Sequence, residues 1–213
     1  MITLYDYLPS QNAWKVRQLL GHLGIPYRTE IVGIFEGEGQ TPRYLAVNPW
    51  GAVPAIRLED GRVLCESNAI LWYFSGRTRF RSEDAFEQAK IFQWLSFEAD
   101  YVQTSVGSLR FWTLTGKLSA RPASLVEGKR AVAGRALGIL DRELSQRLFV
   151  AGNSYSIADI SMFAYAHLAN EAGILTTRLP SFESWVARVK AQEGHLAEMH
   201  PYSIDSHSFA ELP

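Results

Sequence analysis

The sequence predicts a mixed α/β domain over residues 1–77 and an all-α domain over residues 85–213. Three observations carry this reading. Short β-prone runs alternate with amphipathic helical runs in the first part. Only helical spacing follows. A polar stretch from Thr78 to Asp84, suited to a linker, separates the two.

Ile2 to Tyr5 is a β-prone run that Pro9-Ser10 ends with a turn. Val16, Leu19, Leu20 and Leu23 then recur at helical spacing, and Gly24 supplies the stop. Tyr27 to Val32 reads as a second strand, and Thr41 to Val47 as a brief helix broken by Asn48-Pro49-Trp50-Gly51. Ala55 to Leu58 and Val63 to Cys65 flank Glu59-Asp60-Gly61-Arg62, which reads as a hairpin. Ser67 caps a helix through Ile70, Leu71 and Phe74. The order is β-α-β-α-β-β-α, with a parallel part and a hairpin edge.

In the second part, Phe92, Leu95, Ala99, Val102, Val106 and Leu109 form one apolar stripe at spacings of three and four. Ala133, Leu137, Leu140 and Leu144 form another. Ser156-Ile157-Ala158-Asp159 has the pattern of a capping box, opening an apolar helix through Ile160, Phe163, Ala164 and Leu168. Phe182 to Val189 is a further helix, and the last dozen residues read as a polar and aromatic tail.

Bulk properties exclude several classes. Composition is 47% hydrophobic and 20% charged, as in globular proteins, and the 21 basic and 22 acidic side chains leave a net charge of −1. No basic surplus marks a nucleic-acid footprint, and no apolar run of about 18 residues marks a membrane span. The opening residues lack a basic n-region before an apolar core, so they do not read as a signal peptide. The single cysteine, Cys65, forms no internal disulfide, and the five histidines (His22, His167, His195, His200 and His207) show no HExxH-like spacing. The expectation is a cytoplasmic protein without a metal.

Three local signals carry chemistry. Ser10-Gln11-Asn12 lies between the first strand and first helix, where a hydroxyl or amide with exposed N–H groups donates to an anionic sulfur. A free thiol titrates at about 8.5, and lowering that by two units takes about 2.7 kcal/mol, within reach of one or two good donors and a helix end. Ser10 is also an ordinary N-cap. The second signal is Asn48-Pro49-Trp50-Gly51-Ala52-Val53-Pro54. Its Val-Pro bond at the mouth of a strand is a candidate cis peptide, which turns Val53 so that an extended peptide pairs with it. The third is Cys65-Glu66-Ser67-Asn68-Ala69-Ile70, where carboxylate, hydroxyl and helix N-terminus converge in a way that suits a zwitterionic amino-acid head.

Their order and spacing, on this frame and ahead of an all-helical domain, resemble the glutathione transferase family over essentially the whole chain. Ser10-x-Asn12-x-x-Lys15 looks like bacterial members that place Ser or Asn, rather than Tyr or Cys, beside the sulfur. Ser156-Ile157-Ala158-Asp159 resembles the family's helical-domain folding box, and Phe97-Glu98 with Arg110-Phe111-Trp112 is similar to one bacterial subgroup. The resemblance implies a thioredoxin-like glutathione-binding domain over 1–77 and a helical domain over 85–213 that supplies the acceptor pocket and dimer contacts. It implies catalytic roles for Ser10 and Asn12 at the sulfur. Val53 and Pro54 would hold the cysteinyl backbone, and Glu66 and Ser67 the γ-glutamyl end. Gln40 would reach the glycyl carboxylate. Many relatives carry Lys where this chain has Ala52, so Lys15 or another group would stand in, or affinity falls. Trp14, Tyr101, Ser105, Phe111 and Trp112 are candidate acceptor-pocket residues, although each also suits core packing.

The resemblance further implies glutathione as co-substrate, an apolar electrophile, a detoxifying role and a homodimer. Glu98 and Asp100 read as solvated or capping charges, and Arg110 as a surface or interface residue. In related dimers such acidic side chains reach the neighbour's glutathione. Cys65 reads as a small core residue. Two other readings stay open: glutathione-dependent disulfide reduction, and a non-catalytic binding or regulatory module of the same fold.

Overall fold

The computed structural model describes residues 1–212; Pro213, the last residue of the expected helical domain, lies outside the described residues. The chain divides into two compact units, one formed by residues 1–74 with 196–212 and the other by residues 75–195.

The first unit holds a four-stranded sheet of order β2-β1-β3-β4, built from β1 (Ile2–Asp6), β2 (Tyr27–Ile31), β3 (Ala55–Arg57) and β4 (Val63–Cys65). β1 pairs in parallel with β2 and antiparallel with β3, and β3 with β4 forms the hairpin. Every residue of β1 is buried, because both faces of the sheet are covered. Ile2, Leu4 and Ile56 meet Val16 and Leu20 of α1 (Gln11–His22) and Ile70 of α3 (Ser67–Phe74). Tyr5 and Ala55, on the other face, meet Val32, Tyr44 and Val47, with Tyr44 on the short α2 (Pro42–Leu45). α1 ends where Gly24 takes a φ of 62°, a left-handed conformation that a glycine accepts without strain. This is the thioredoxin-like arrangement.

The polar C-terminal segment belongs to this unit and not to the helical one. The Trp14 indole N–H donates to the Leu196 carbonyl at 3.1 Å, the Leu196 N–H donates to Gln18 Oε1 at 2.6 Å, and the Tyr7 hydroxyl donates to Asp205 Oδ2 at 2.9 Å. These buried and half-buried polar groups of β1–α1 find their partners in the tail.

The second unit contains α4 (Ala85–Phe97), α5 (Ser108–Leu114), α6 (Ala123–Leu144), α7 (Ile157–Ala166) and α8 (Pro180–Lys190). Thr78 to Asp84 lies within this unit and is anchored to it. Phe80 is 1% exposed, its ring stands edge-on to Tyr155, and its carbonyl accepts the Ile157 N–H at 3.0 Å. Asp84 then caps α4, accepting from the Phe86 and Glu87 N–H groups at 3.0 Å each.

A π-helical segment, Glu98–Gly107, separates α4 from α5. The first apolar stripe runs through it, with Leu95, Val102, Val106 and Leu109 buried, but Phe92, on α4 before the segment, is 60% exposed. At its end, Gly107 permits a close crossing, since a Cβ there would come within 2.8 Å of the Tyr165 ring. The second stripe behaves as expected, with Ala133, Leu137, Leu140 and Leu144 all buried on α6. The capping box at Ser156 and Asp159 is also present and opens the buried α7.

His167, just past α7, stacks on Phe163 with ring centroids 3.9 Å apart. Burial, chiefly, pushes its imidazole down to about 3; the Phe163 carbonyl opposes this, and the Lys190 and Arg110 cations add to it. The unfolded chain therefore binds a proton near pH 6.5 that the native ring refuses, so stability falls as pH drops below about 6.5. Asp159, pushed by burial up to about 6, works in the opposite direction between about pH 4 and 6 and is common to both proteins compared. Urea unfolding should show wild type losing roughly 2–3 kcal/mol relative to His167→Phe between pH 6.5 and 4. Parallel profiles would remove this assignment.

Candidate functional site

Ser10 is the N-cap of α1, with φ −69° and ψ 121°. Its Oγ accepts the Ala13 N–H at 3.3 Å, and its O–H has no acceptor among the described residues. Arg17 fixes the approach to this cap. Its guanidinium donates to both Asp6 oxygens at 2.8 and 2.7 Å and to the Leu8 carbonyl at 3.0 Å, pinning the chain between β1 and Ser10. Asn12, one turn along, accepts from the Ser67 hydroxyl at 3.4 Å, which ties the N-termini of α1 and α3 together and leaves its amide N–H groups for another acceptor.

Glu66 is the residue before α3, and its carbonyl accepts the Ile70 N–H at 3.0 Å. Its φ is 68°, a left-handed conformation that costs a non-glycine residue on the order of 1 kcal/mol or more. The side chain is exposed, and among the described residues its carboxylate makes no ion pair. Ser67 beside it is buried.

The Val53–Pro54 peptide is cis. Two donors hold the residue before it: the Tyr44 hydroxyl and the Asn48 amide each reach the Ala52 carbonyl at 2.7 Å. Neither the N–H nor the C=O of Val53 has a partner among the described residues. Ala55 pairs with Cys65, so continuing that antiparallel register sets Val53 across from Ser67. Gln40 is exposed and lies against this loop, because the backbones of Gly39 and Gly51 touch; a Cβ on Gly51 would collide with the Gln40 amide and come within 2.8 Å of the Gly39 carbonyl.

Ser10, Asn12, Val53, Pro54, Glu66, Ser67 and Gln40 thus share one edge of the first unit. Lys15 does not join them: it is fully buried in α1, so it cannot stand in for the positive charge absent at Ala52. Cys65 is half-buried, and burial first and Glu66 second push its thiol up, away from the reactive range.

Two acceptor-pocket candidates are also corrected. Trp14 is 1% exposed with its indole bonded into the C-terminal segment, and Ser105 is 1% exposed with its hydroxyl donating back to the Tyr101 carbonyl. Both are interior residues. Tyr101 is 48% exposed, while Phe111 and Trp112 are half-buried beneath cations, Lys117 over Phe111 and Arg121 and Lys129 over Trp112. Glu98 is not solvated: it is 0% exposed and accepts the Ser161 hydroxyl at 3.0 Å. Arg110, 4% exposed, is bonded to Glu171 at 2.6 Å.

The clamp on Ala52 was not foreseen. Asn48 was visible as part of a turn, but Tyr44 carried no signal of its own, because a hydroxyl eight residues upstream has no periodic mark.

The first unit thus presents a free donor at α1, an open Val-Pro edge and a lone carboxylate before α3 on a thioredoxin-like frame. Comparison with known proteins carries this further. The profile described as "Glutathione S-transferase, N-terminal domain" matches residues 9–77, and "Glutathione S-transferase, C-terminal domain" matches residues 98–193. Glutathione S-transferase 1 of Schizosaccharomyces pombe is 30% identical over 174 residues, 76% of this chain and 73% of that protein. A glutathione S-transferase of Pseudomonas fluorescens superposes with a TM-score of 0.88 at 33% identity, covering 92% of this chain and 97% of that one. A glutathione transferase of Burkholderia graminis, crystallised with two glutathione molecules per subunit, superposes with a TM-score of 0.80 at 28% identity, covering 91% and 85%. Elongation factor 1-gamma-A of Xenopus laevis is 30% identical over 163 residues, 75% of this chain but only 37% of that protein. The chain belongs to the glutathione S-transferase family.

Proposed function

We propose that this chain binds glutathione along the edge just described and lowers the pKa of its thiol for attack on an apolar electrophile. One observation carries the reading. Among the described residues the Ser10 O–H, the Val53 peptide groups and the Glu66 carboxylate have no partner, and they lie along one edge. They match, in order, a thiolate, an extended cysteinyl backbone and a γ-glutamyl ammonium. Ser67 and the first N–H groups of α3 suit the γ-glutamyl carboxylate. Gln40 faces the same loop and takes the glycyl end, without help from Lys15.

In this mechanism the thiol proton leaves to solvent and the thiolate accepts the Ser10 O–H and Asn12 N–H near the positive end of α1. The bound thiolate then displaces a leaving group, which departs as its anion to solvent, or adds to an activated double bond, whose carbanion takes a proton from solvent; either forms the thioether. Proximity and a preorganised donor set supply the rate.

Calorimetry tests the binding. Glu66→Ala should weaken glutathione about tenfold or more while circular dichroism stays unchanged, since a charge-assisted contact is worth roughly 1.5–3 kcal/mol. An unaltered dissociation constant would remove Glu66 from the site.

Two other readings have support. A thiolate held here also serves disulfide exchange run by glutathione itself, and parallel assays with an aryl halide and hydroxyethyl disulfide separate that activity from conjugation. The elongation-factor relatives favour a non-catalytic module, and glutathione binding with no turnover in either assay would support it. We further expect a homodimer in the cytoplasm. The exposed Phe86, Phe92 and Trp50, each 60% exposed or more, are suited to burial against a second copy, which sedimentation at micromolar concentration reads directly. No helix among the described residues is long and apolar enough to cross a membrane.

A further inference from the structure

We propose a divalent transition-metal site in the first unit, formed by Glu36, Asp205 and His207 and suited to zinc. Glu36 lies in the turn after β2, and the other two residues in the C-terminal segment, about 170 positions away in sequence. One ligating atom from each falls within 4.8 Å of the others.

The spacing distinguishes this group from an ordinary ion-pair cluster. His207 Nδ1 stands 3.6 Å from Glu36 Oε1 and 3.5 Å from Asp205 Oδ1. Both separations exceed the 2.7–3.2 Å of a good N–H···O bond. They are close to the edge of a coordination tetrahedron, which is about 3.3–3.6 Å for zinc bonds of about 2.0–2.2 Å. Two carboxylates and an imidazole thus stand together with no hydrogen bond from the imidazole to either carboxylate. A dication there compensates the two negative charges, and a water completes four ligands.

The ligand set narrows the metal class. An imidazole nitrogen disfavours magnesium and calcium, and the absence of thiolate disfavours cuprous ion, leaving the divalent transition metals, of which zinc readily takes a tetrahedral set of nitrogen and oxygen ligands. Asp205 is preoriented as a ligand should be. Its Oδ2 accepts from the Tyr7 hydroxyl at 2.9 Å, and its Oδ1 accepts the His207 N–H at 2.8 Å. The site is reachable, with side-chain exposures of 59% for Glu36, 55% for His207 and 15% for Asp205. A bound ion clasps the C-terminal segment to the turn after β2, beside Tyr7 and three residues before Ser10.

The test uses the full chain without an affinity tag. Calorimetric titration with zinc chloride should show one equivalent bound, and cobalt should give visible absorption of a four-coordinate nitrogen and oxygen site. His207→Ala and Glu36→Gln, both at exposed positions, should each weaken zinc at least tenfold, and Tyr7→Phe less. Zinc should raise the melting temperature of wild type but not of His207→Ala. Absence of saturable binding at one equivalent overturns the site. So does zinc binding that neither variant changes, which assigns the ion to other histidines such as His200.

Discussion

Ser10→Ala should lower kcat/KM for conjugation by roughly 10- to 1,000-fold, the loss that follows removal of one preorganised donor to a developing anion. The same substitution removes a helix cap worth about 1 kcal/mol, because Ser10 Oγ also accepts the Ala13 N–H. Activity and stability are therefore confounded in the alanine variant, and Ser10→Asp separates them. Aspartate caps a helix as well as serine does, so the melting temperature should stay near that of wild type. Its charge, however, faces the thiolate and should reduce turnover at least as far as alanine does. The ultraviolet absorbance of bound glutathione thiolate, followed against pH, should shift upward in both variants. Asn12→Ala should shift it less, since Asn12 is also engaged by Ser67. A thiolate pKa unchanged in both Ser10 variants would make Ser10 a cap and nothing more.

The largest expected loss of stability lies in the other unit, at Asp159. This carboxylate is 0% exposed and accepts four bonds: from the Val150 N–H and the Trp185 indole at 2.9 Å each, from the Ser156 N–H at 3.0 Å, and from the Ser156 hydroxyl at 3.1 Å. It therefore joins the start of α7, the preceding loop and α8 at one point. Asp159→Ala leaves these donors buried without an acceptor, and urea unfolding should show a loss of roughly 3–5 kcal/mol. Trp185→Phe removes one donor while keeping most of the ring volume, and should cost only about 1 kcal/mol. In the double variant the two losses should add to less than their sum, because they share a bond. Strict additivity would mean that the indole bond contributes nothing.

How much of this was legible in the sequence depends on the range of the signal. The strand and helix order, the stop at Gly24, the hairpin around Gly61 and the Ser156–Asp159 box are written in patterns a few residues long, and periodicity or turn chemistry reads them directly. The π-helical segment was not legible, because an apolar stripe looks the same whether or not one turn is widened. Lys15 was misplaced for a related reason. A lysine beside a site motif reads as a surface cation, and only the three-dimensional surroundings of α1 show it interior. Of the candidate site, Ser10, Val53 and Glu66 were found as types and positions, but what makes each available was not. The left-handed backbone of Glu66, the Tyr44 and Asn48 clamp on Ala52 and the Arg17 anchor are tertiary facts. The Glu36, Asp205 and His207 group lies furthest from legibility, since histidine spacing along the chain carries no trace of a carboxylate so distant.

The stitching of Leu196 and Asp205 to α1 and Tyr7 makes the first unit discontinuous along the chain. During synthesis, residues 1–74 emerge long before the strand of chain that completes them. The Trp14 indole and the Tyr7 hydroxyl meet the Leu196 and Asp205 acceptors only once that segment has been made. The helical unit, contiguous from 75 to 195, takes no segment from elsewhere in the chain, whereas residues 1–74 depend on one that follows the whole of that unit.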